Sequence, residues 1–350
     1  MRILVSGGSG FVGTRLVHDL VADGHEIFNL DTRPPREPAH KPYWRAVNLA
    51  NGRMVQGELD AFGPHAVVHL AARTDTLGRS LSEYRENIDG TNCLIEAIKA
   101  RGETIDRFVL CSSQFVHQGK TTPAHDEDFA PHTYYGQSKV ANEQALRATD
   151  LSCAWVIIRP TNIWGPWHPR YPTEFWRVLK KGQYFHPGRQ PVFRSYGYVG
   201  NVSYQIRAML DAPRDQIDRQ VFYVGDAPID LLSWVNGFSR RLTGREVRII
   251  PRPALRALAV FGDLLSSAGI RFPLTSSRFE SMTTDNPAPM EKTLALFGTP
   301  PYDLDRGIDE TVSWLISQDP EFWAPKSPPP RATARGVGDL PGHPRAGLTL

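Results

Sequence analysis

Apolar residues follow two rhythms along the first half of the chain. Short apolar runs at 3–6, 26–31, 44–49, 65–70, 107–111 and 153–158 read as strands. Between several of them the apolar residues recur every three or four positions, as Leu16, Val17, Leu20 and Val21 do, and then Ile88, Leu94, Ile95 and Ile98. These predict helices after the first run, over 82–101 and over 135–148. Runs without polar alternation suit strands buried on both faces, and the strand–helix alternation predicts an α/β fold with a doubly wound parallel sheet. A ligand crevice then lies at the carboxyl ends of the strands.

After residue 159 the regularity fails. Residues 165–169 read as loop and 175–181 as a short helix. The run 220–224 reads as a strand returning to the sheet, and 231–242, 253–267 and 309–316 as helices. The expected organisation is a sheet domain over 1–164, rejoined by 196–226, with a smaller lobe from 165–195 and 227–323. Segment 324–350 is rich in Pro, Gly and Arg and is expected to be disordered. The stretch 256–270, with the adjoining Leu255 and with Leu258, Ala259, Phe261, Leu264 and Leu265, is unusually apolar. It reads first as a core helix of the lobe and second as a lipid-contacting one.

Composition is that of an ordinary soluble protein: 350 residues, 41% hydrophobic and 22% charged. No apolar run reaches membrane-spanning length. The first strand is read within two residues of the N-terminus, so no signal peptide is expected. Cys93, Cys111 and Cys153 lie far apart, lack metal-ligand spacing and read as buried thiols, so a cytoplasmic protein without a bound metal is expected. The net charge of +3 matches the excess of Lys326, Arg331, Arg335 and Arg345 over Asp339 in the tail. The rest is near neutral and carries no basic stripe, which argues against nucleic acid as a partner.

Three groups of residues carry candidate chemistry. Gly7, Gly10 and Gly13 punctuate the turn between the first strand and the first helix. There the backbone must turn tightly and approach a ligand, and a pyrophosphate suits the free N–H groups of the helix start. Asp31 ends the second strand, where a carboxylate accepts from both adenosine ribose hydroxyls and repels a 2′-phosphate, favouring NAD over NADP. Arg33 lies close enough to blunt that repulsion. Tyr135 and Lys139, four apart, share one helix face. An ammonium beside the phenol favours the phenolate and fits it for acid–base work. Ser113, just past the fifth strand, is placed to bridge the reacting oxygen and the phenol.

These residues resemble an extended short-chain dehydrogenase/reductase of the NAD-dependent epimerase/dehydratase family, with its Rossmann sheet. The resemblance spans nearly the whole chain before the tail. It rests on Gly7-Gly8-Ser9-Gly10-Phe11-Val12-Gly13, Asp31, His69-Leu70-Ala71-Ala72, Asn87-Ile88-Asp89-Gly90-Thr91, Ser112-Ser113, Tyr135-Gly136-Gln137-Ser138-Lys139 and Arg159-Pro160-Thr161-Asn162-Ile163-Trp164-Gly165-Pro166. It implies that Phe11 and Val12 meet the pyrophosphate through their backbone. Asn48 and Leu49 then contact adenine, Asn48 replacing an Asp. Leu70, Ala71, Ala72 and Pro160 line the nicotinamide side, and Asn87 braces the site. Ser113, Tyr135 and Lys139 form the catalytic set, Lys139 also holding the nicotinamide ribose. Thr74, Ser113 and Asn162 face the substrate, and Arg194 holds a nucleotide-sugar diphosphate. A homodimer through the helices after the fourth and fifth strands is common in the family.

Departures from the family pattern narrow the chemistry. Sugar dehydratases carry an Asp-Glu pair where this chain has Gln114 and Phe115, neither able to transfer a proton. His117 replaces the usual tyrosine and reads as a loop histidine with a structural partner. Gly200-Asn201 replaces an acidic pair and is expected to alter the substrate lobe. Trp164, Trp167, Tyr171, Phe175 and Trp176 suit either stacking on a sugar or base, or packing within the lobe. The resemblance thus implies an NAD-dependent nucleotide-sugar epimerase. The alternative is an alcohol dehydrogenase or ketoreductase on a sugar or 3β-hydroxysteroid-like substrate.

Overall fold

A computed structural model describes residues 1–117, 122–267, 269–270, 272 and 274–325. From residue 326 onward the tail expected to be disordered lies outside the described residues. The first half runs β1 (Arg2–Ser6), α1 (Phe11–Ala22), β2 (Glu26–Asp31), β3 (Trp44–Ala46), α2 (Gly52–Phe62), β4 (Ala66–His69), α3 (Arg85–Arg101), β5 (Arg107–Cys111), α4 (Tyr134–Ala148) and β6 (Ala154–Pro160). The second half runs β7 (Asn162–Trp164), α5 (Phe175–Lys180), β8 (Phe185–Pro187), β9 (Phe193–Arg194), β10 (Tyr196–Tyr198), α6 (Val199–Asp211), α7 (Arg214–Ile217) and β11 (Gln220–Val224). Then follow β12 (Ile229–Asp230), α8 (Leu231–Thr243), β13 (Arg248–Ile250), α9 (Arg252–Ser267), α10 (Ser276–Thr283), α11 (Glu291–Phe297), α12 (Leu304–Gln318) and α13 (Pro320–Trp323).

Seven strands form one parallel sheet in the order β11-β6-β5-β4-β1-β2-β3. The apolar runs form these strands because both faces are covered. Leu4, Val67, Phe108 and Ile157 point into one core layer with α2, α3 and α4. Ile3, Val5, Val68, Val109 and Ile158 point into the other, which α1 and α6 close with Leu16, Leu20, Val202 and Ile206. The strand order reverses between β1 and β4, so the loops after those strands diverge and leave a crevice.

The third strand is shorter than its apolar run. Only Trp44–Ala46 pairs with β2. The chain then turns at Asn48, whose Oδ1 accepts from Ala50 N at 2.9 Å, and Asn51 caps α2 through Met54 N. Helix α2 was not legible in the apolar rhythm, although Asn51 and Gly63, at φ +59°, are its ordinary start and stop signals. Cys153 is buried, whereas Cys93 and Cys111 are only half-buried.

The smaller lobe has a core of Trp164, Trp176, Tyr198, Trp234 and Phe238, against which Tyr171 and Phe175 pack. Those aromatics therefore do lobe packing. Trp167, at φ +70°, lies 5.4 Å from the Trp314 ring. Helix α9 departs from the core-helix expectation: Leu255, Ala259 and Gly262 are buried, while Leu258, Phe261 and Leu264 face outward. Asn201 is buried and structural, its amide donating to Asp226 Oδ1 at 2.7 Å and Tyr302 O at 2.8 Å.

His69 of β4 is wholly enclosed. Its Nδ1 lies 2.5 Å from Ser6 Oγ and its Nε2 lies 2.9 Å from Thr91 Oγ1. Burial, with Lys139 nearby, pushes this imidazole down to about 3. The unfolded chain takes up that proton near pH 6.5, so the stability the neutral ring provides is present above that pH and lost as pH falls toward 3. Denaturation at stepped pH should show stability falling below pH ~6.5. His69→Gln should flatten the decline by up to about 1.4 kcal/mol per pH unit.

Candidate active site

The glycine turn is tight because its neighbours leave no room. Gly7 has φ +76°, and a Cβ there would lie 2.5 Å from Ala71 N. A Cβ on Gly13 would lie 2.2 Å from Gly7 O. The loops after β1 and β4 therefore touch at Gly7, and α1 starts hard against the turn at Gly13. Gly10 caps α1 with no side-chain hydrogen bond, so the N–H groups of Phe11, Val12 and Gly13 open the helix toward the turn. Asp31 Oδ2 accepts from Ser9 N at 3.2 Å and Oδ1 from Arg33 N at 2.9 Å, which brings the carboxylate to the rim of the same turn. Arg36, absent from the sequence reading, donates to Ser9 O at 3.3 Å and to Trp167 O at 3.3 Å. The residues present fit a dinucleotide: a cradle that side chains would fill, unspent N–H donors and a carboxylate beside them.

Past β5, the chain enters a 3-10 turn over Gln114–Val116, which Ser113 caps by accepting from Phe115 N at 3.2 Å. Helix α4 packs on that turn. A Cβ on Gly136 would lie 2.4 Å from Phe115 O, so only glycine lets the helix approach. The approach brings the Tyr135 phenol close to Ser113, whose hydroxyl favours its ionisation. The phenol sits between Phe115 and Tyr84, whose ring centroids are 6.0 and 6.2 Å away. Burial pushes it above its ordinary range, the Ser113 hydroxyl working the other way. Lys139 Nζ donates to Cys111 O at 2.8 Å. Burial lowers its pKa, opposed by Cys111 and Glu143. The expected lowering of the phenol beside Lys139 is thus not a property of the protein alone. In so dry a site, desolvation of a phenolate dominates.

Asn87 ties the pieces together. Its Oδ1 accepts from Arg73 N at 2.8 Å, and its Nδ2 donates to Arg73 O at 3.0 Å and Ser138 Oγ at 3.3 Å. The loop after β4 is thereby fixed to α4. Thr74, on that loop, is exposed. Leu70 N donates to Ser6 O at 2.9 Å, which keeps Leu70, Ala71 and Ala72 beside the glycine turn. Pro160 ends β6 opposite Val224, and Leu49 lies against Gly90 of α3. Gln114 Nε2 donates to Asn162 Oδ1 at 3.2 Å. His117 is held by Asp128 O at 2.6 Å. Among the described residues Arg194 makes no ion pair. Its Nη1 donates to Ser281 O at 2.9 Å and Thr284 O at 3.1 Å around the end of α10, while its buried Nε has no hydrogen-bond partner among the described residues.

A residue missed in the sequence stands behind this site. Glu143, four positions after Lys139 on α4, is fully buried. It receives Arg159 Nε at 2.9 Å and Nη2 at 2.8 Å, and Ser112 Oγ at 2.5 Å. Its signal was the fourfold spacing from Tyr135 through Lys139, together with a charged residue inside an otherwise apolar sixth strand.

A parallel sheet with a glycine turn at its switch point defines a Rossmann-type dinucleotide-binding protein. More narrowly, the chain belongs to the NAD dependent epimerase/dehydratase family, whose model matches residues 3–225. It is an NAD-dependent enzyme of the extended short-chain dehydrogenase/reductase type. A 3-beta-hydroxysteroid dehydrogenase of Mycolicibacterium neoaurum is 28% identical over 299 residues, covering 78% of this chain and 79% of that protein. An N-acetyl-alpha-D-glucosaminyl-diphospho-ditrans,octacis-undecaprenol 4-epimerase of Escherichia coli O157:H7 is 27% identical over 324 residues, covering 89% and 95%. Among solved structures, the UDP-glucose 4-epimerase of Thermotoga maritima with UDP-glucose matches with TM-score 0.69 at 20% identity, over 91% of this chain and 99% of that one.

Tyr135→Phe removes the hydroxyl and keeps the ring. Turnover should fall about 10³-fold, within the range for losing a general acid–base. NAD affinity, measured by fluorescence titration, should stay within about threefold of the parent because the change removes no charge and little volume.

Proposed function

We propose that the chain epimerises a diphosphate-linked sugar, a nucleotide sugar first among them, by taking a hydride from one carbinol carbon and returning it to the other face. In this reading Gly7, Gly10, Phe11, Val12 and Gly13 hold the NAD pyrophosphate, Asp31 the adenosine ribose, and Asn48 with Leu49 the adenine edge. Leu70, Ala71, Ala72 and Pro160 line the nicotinamide side. Bound NAD supplies the hydride acceptor and, once reduced, the donor. Tyr135 takes the proton of the substrate hydroxyl and later gives it back. Ser113 bridges the phenol and the reacting oxygen. Lys139 holds the nicotinamide ribose and adds positive charge near the phenolate. Asn87 keeps the loop after β4 on α4.

The observation that carries this reading is the set Ser113, Tyr135 and Lys139 with Gln114 and Phe115 next to it. Tyr135 is the acid–base group there, and neither Gln114 nor Phe115 can transfer a proton, which suits hydride transfer out and back and not loss of water. On the substrate side, Gln114 and Asn162 present a paired amide surface, and Thr74 lies on the loop fixed by Asn87. The unpartnered Nε of Arg194 supports an anion such as a diphosphate in the lobe, the other edge of that guanidinium being spent on α10. The undecaprenol-linked 4-epimerase relative supports the same chemistry on a lipid-linked sugar diphosphate.

A second reading, net oxidation of an apolar alcohol, is favoured by the 3-beta-hydroxysteroid dehydrogenase relative. The two separate on the purified protein after denaturation. An epimerase regenerates its cofactor in place, so stoichiometric NAD or NADH should be released, and a screen of UDP- and GDP-sugars should yield an isomer with no net redox change. A protein that purifies empty and reduces added NAD with a steroid-like alcohol would contradict the epimerase reading.

A further inference from the structure

Helix α9 turns its apolar side outward. Its buried positions, Leu255, Ala259 and Gly262, follow i, i+4, i+7 spacing and form one narrow strip. A Cβ on Gly262 would lie 1.9 Å from Leu274 O, so the chain passes directly beneath the helix there. The opposite side carries Pro253, Ala257, Val260, Phe261 and Leu264, all exposed. Val260 is 57% exposed, Phe261 51% and Leu264 66%, and Ile270, just beyond the helix, is 54% exposed. Among the described residues eleven large apolar side chains are exposed, and five of them lie between 258 and 270. Such clustering marks an interaction surface, where scattered exposure would not.

Charge indicates what covers it. The segment 245–267 carries Arg245, Arg248, Arg252 and Arg256 against Glu246 and Asp263. Both carboxylates are engaged elsewhere: Glu246 pairs with Arg240, and Asp263 accepts from Ser276 N at 3.1 Å. Among the described residues none of the four arginines takes part in an ion pair. Arg252 and Arg256 lie on one flank of the outward apolar arc, and Arg252 Nε donates to Pro187 O at 3.2 Å. An amphipathic helix with an apolar face and bordering arginines suits a bilayer interface, where long basic side chains reach phosphate headgroups while aromatic and aliphatic ones enter the acyl boundary.

We propose that α9 docks the protein on an anionic lipid surface, Val260, Phe261 and Leu264 entering the interface and Arg252 and Arg256 meeting the headgroups. The helix is too short and too charged to span a bilayer, so the attachment is peripheral. It stands independently of the reaction assigned above.

Flotation of the full-length protein with vesicles tests this. Vesicles of phosphatidylcholine with phosphatidylglycerol should carry the protein at low salt, and pure phosphatidylcholine vesicles much less of it. The double variant Phe261→Asp, Leu264→Asp should lower the bound fraction at least about tenfold. Arg252→Glu with Arg256→Glu should abolish the preference for anionic vesicles. NAD affinity should be unchanged in both variants, which shows that they fold, and Met54→Asp on α2 should bind vesicles as the parent does. Absence of binding by the parent overturns the proposal. So does undiminished binding by the Phe261/Leu264 variant, which would move the attachment elsewhere, the basic tail included. A dimer that this variant splits, in a parent that ignores vesicles, would make the face a contact between copies of the chain.

Discussion

The site depends on one carboxylate kept away from water. Glu143 is buried on α4 and answered by two nitrogens, Nε and Nη2, of a bidentate Arg159 from β6 and by Ser112 from the end of β5. Arg159 reaches on to Asp126 O and lies over the Phe129 and Tyr223 rings. The pair thus bolts α4 to two adjacent strands and to the loop that precedes the helix. Removing one partner of such a pair costs about 3–5 kcal/mol because it leaves a buried charge unanswered. Glu143 also supports the charged form of Lys139 one turn away, against the burial that disfavours it.

From that anchor the rest follows by contact. With α4 fixed, Gly136 rests on Phe115 O and Tyr135 meets Ser113, while Asn87 clamps the loop after β4 to Ser138. The same loop passes Gly7 so closely that a side chain there is excluded. The glycine turn and the phenol are therefore two ends of one packed assembly. Its dryness raises the Tyr135 phenol, and oxidised nicotinamide adds a positive charge that favours ionisation.

The sheet was legible because a strand buried on both faces is apolar almost without interruption, as 66–69 and 107–111 are. The site motifs were legible because their spacing is that of the turn and helix that carry them. Helix α2 escaped because its core contribution is chiefly Val55 and Leu59, too few for a visible period, and its caps are its only other mark. In the lobe, α5, α8, α9 and α12 lie where the apolar rhythm places helices, whereas the two-stranded pairings and the short helices α10 and α11 escaped because they are set by tertiary contact. The sequence marks 253–267 as an apolar helix but does not say which side faces the body; Gly262 and its contact with Leu274 decide that. Nor does sequence show that the end of α10 engages Arg194, leaving Nε unpartnered.

The most direct measurement is the fate of the transferred hydrogen. A sugar substrate deuterated at the carbon under inversion, incubated with the purified protein in ordinary water, should give an isomer that keeps its deuterium at that carbon, with no deuterated NADH in solution. A site with one acid–base group and a cofactor that returns what it takes requires this. Deuterium lost to solvent, or recovered in free cofactor at one equivalent per turnover, would contradict it.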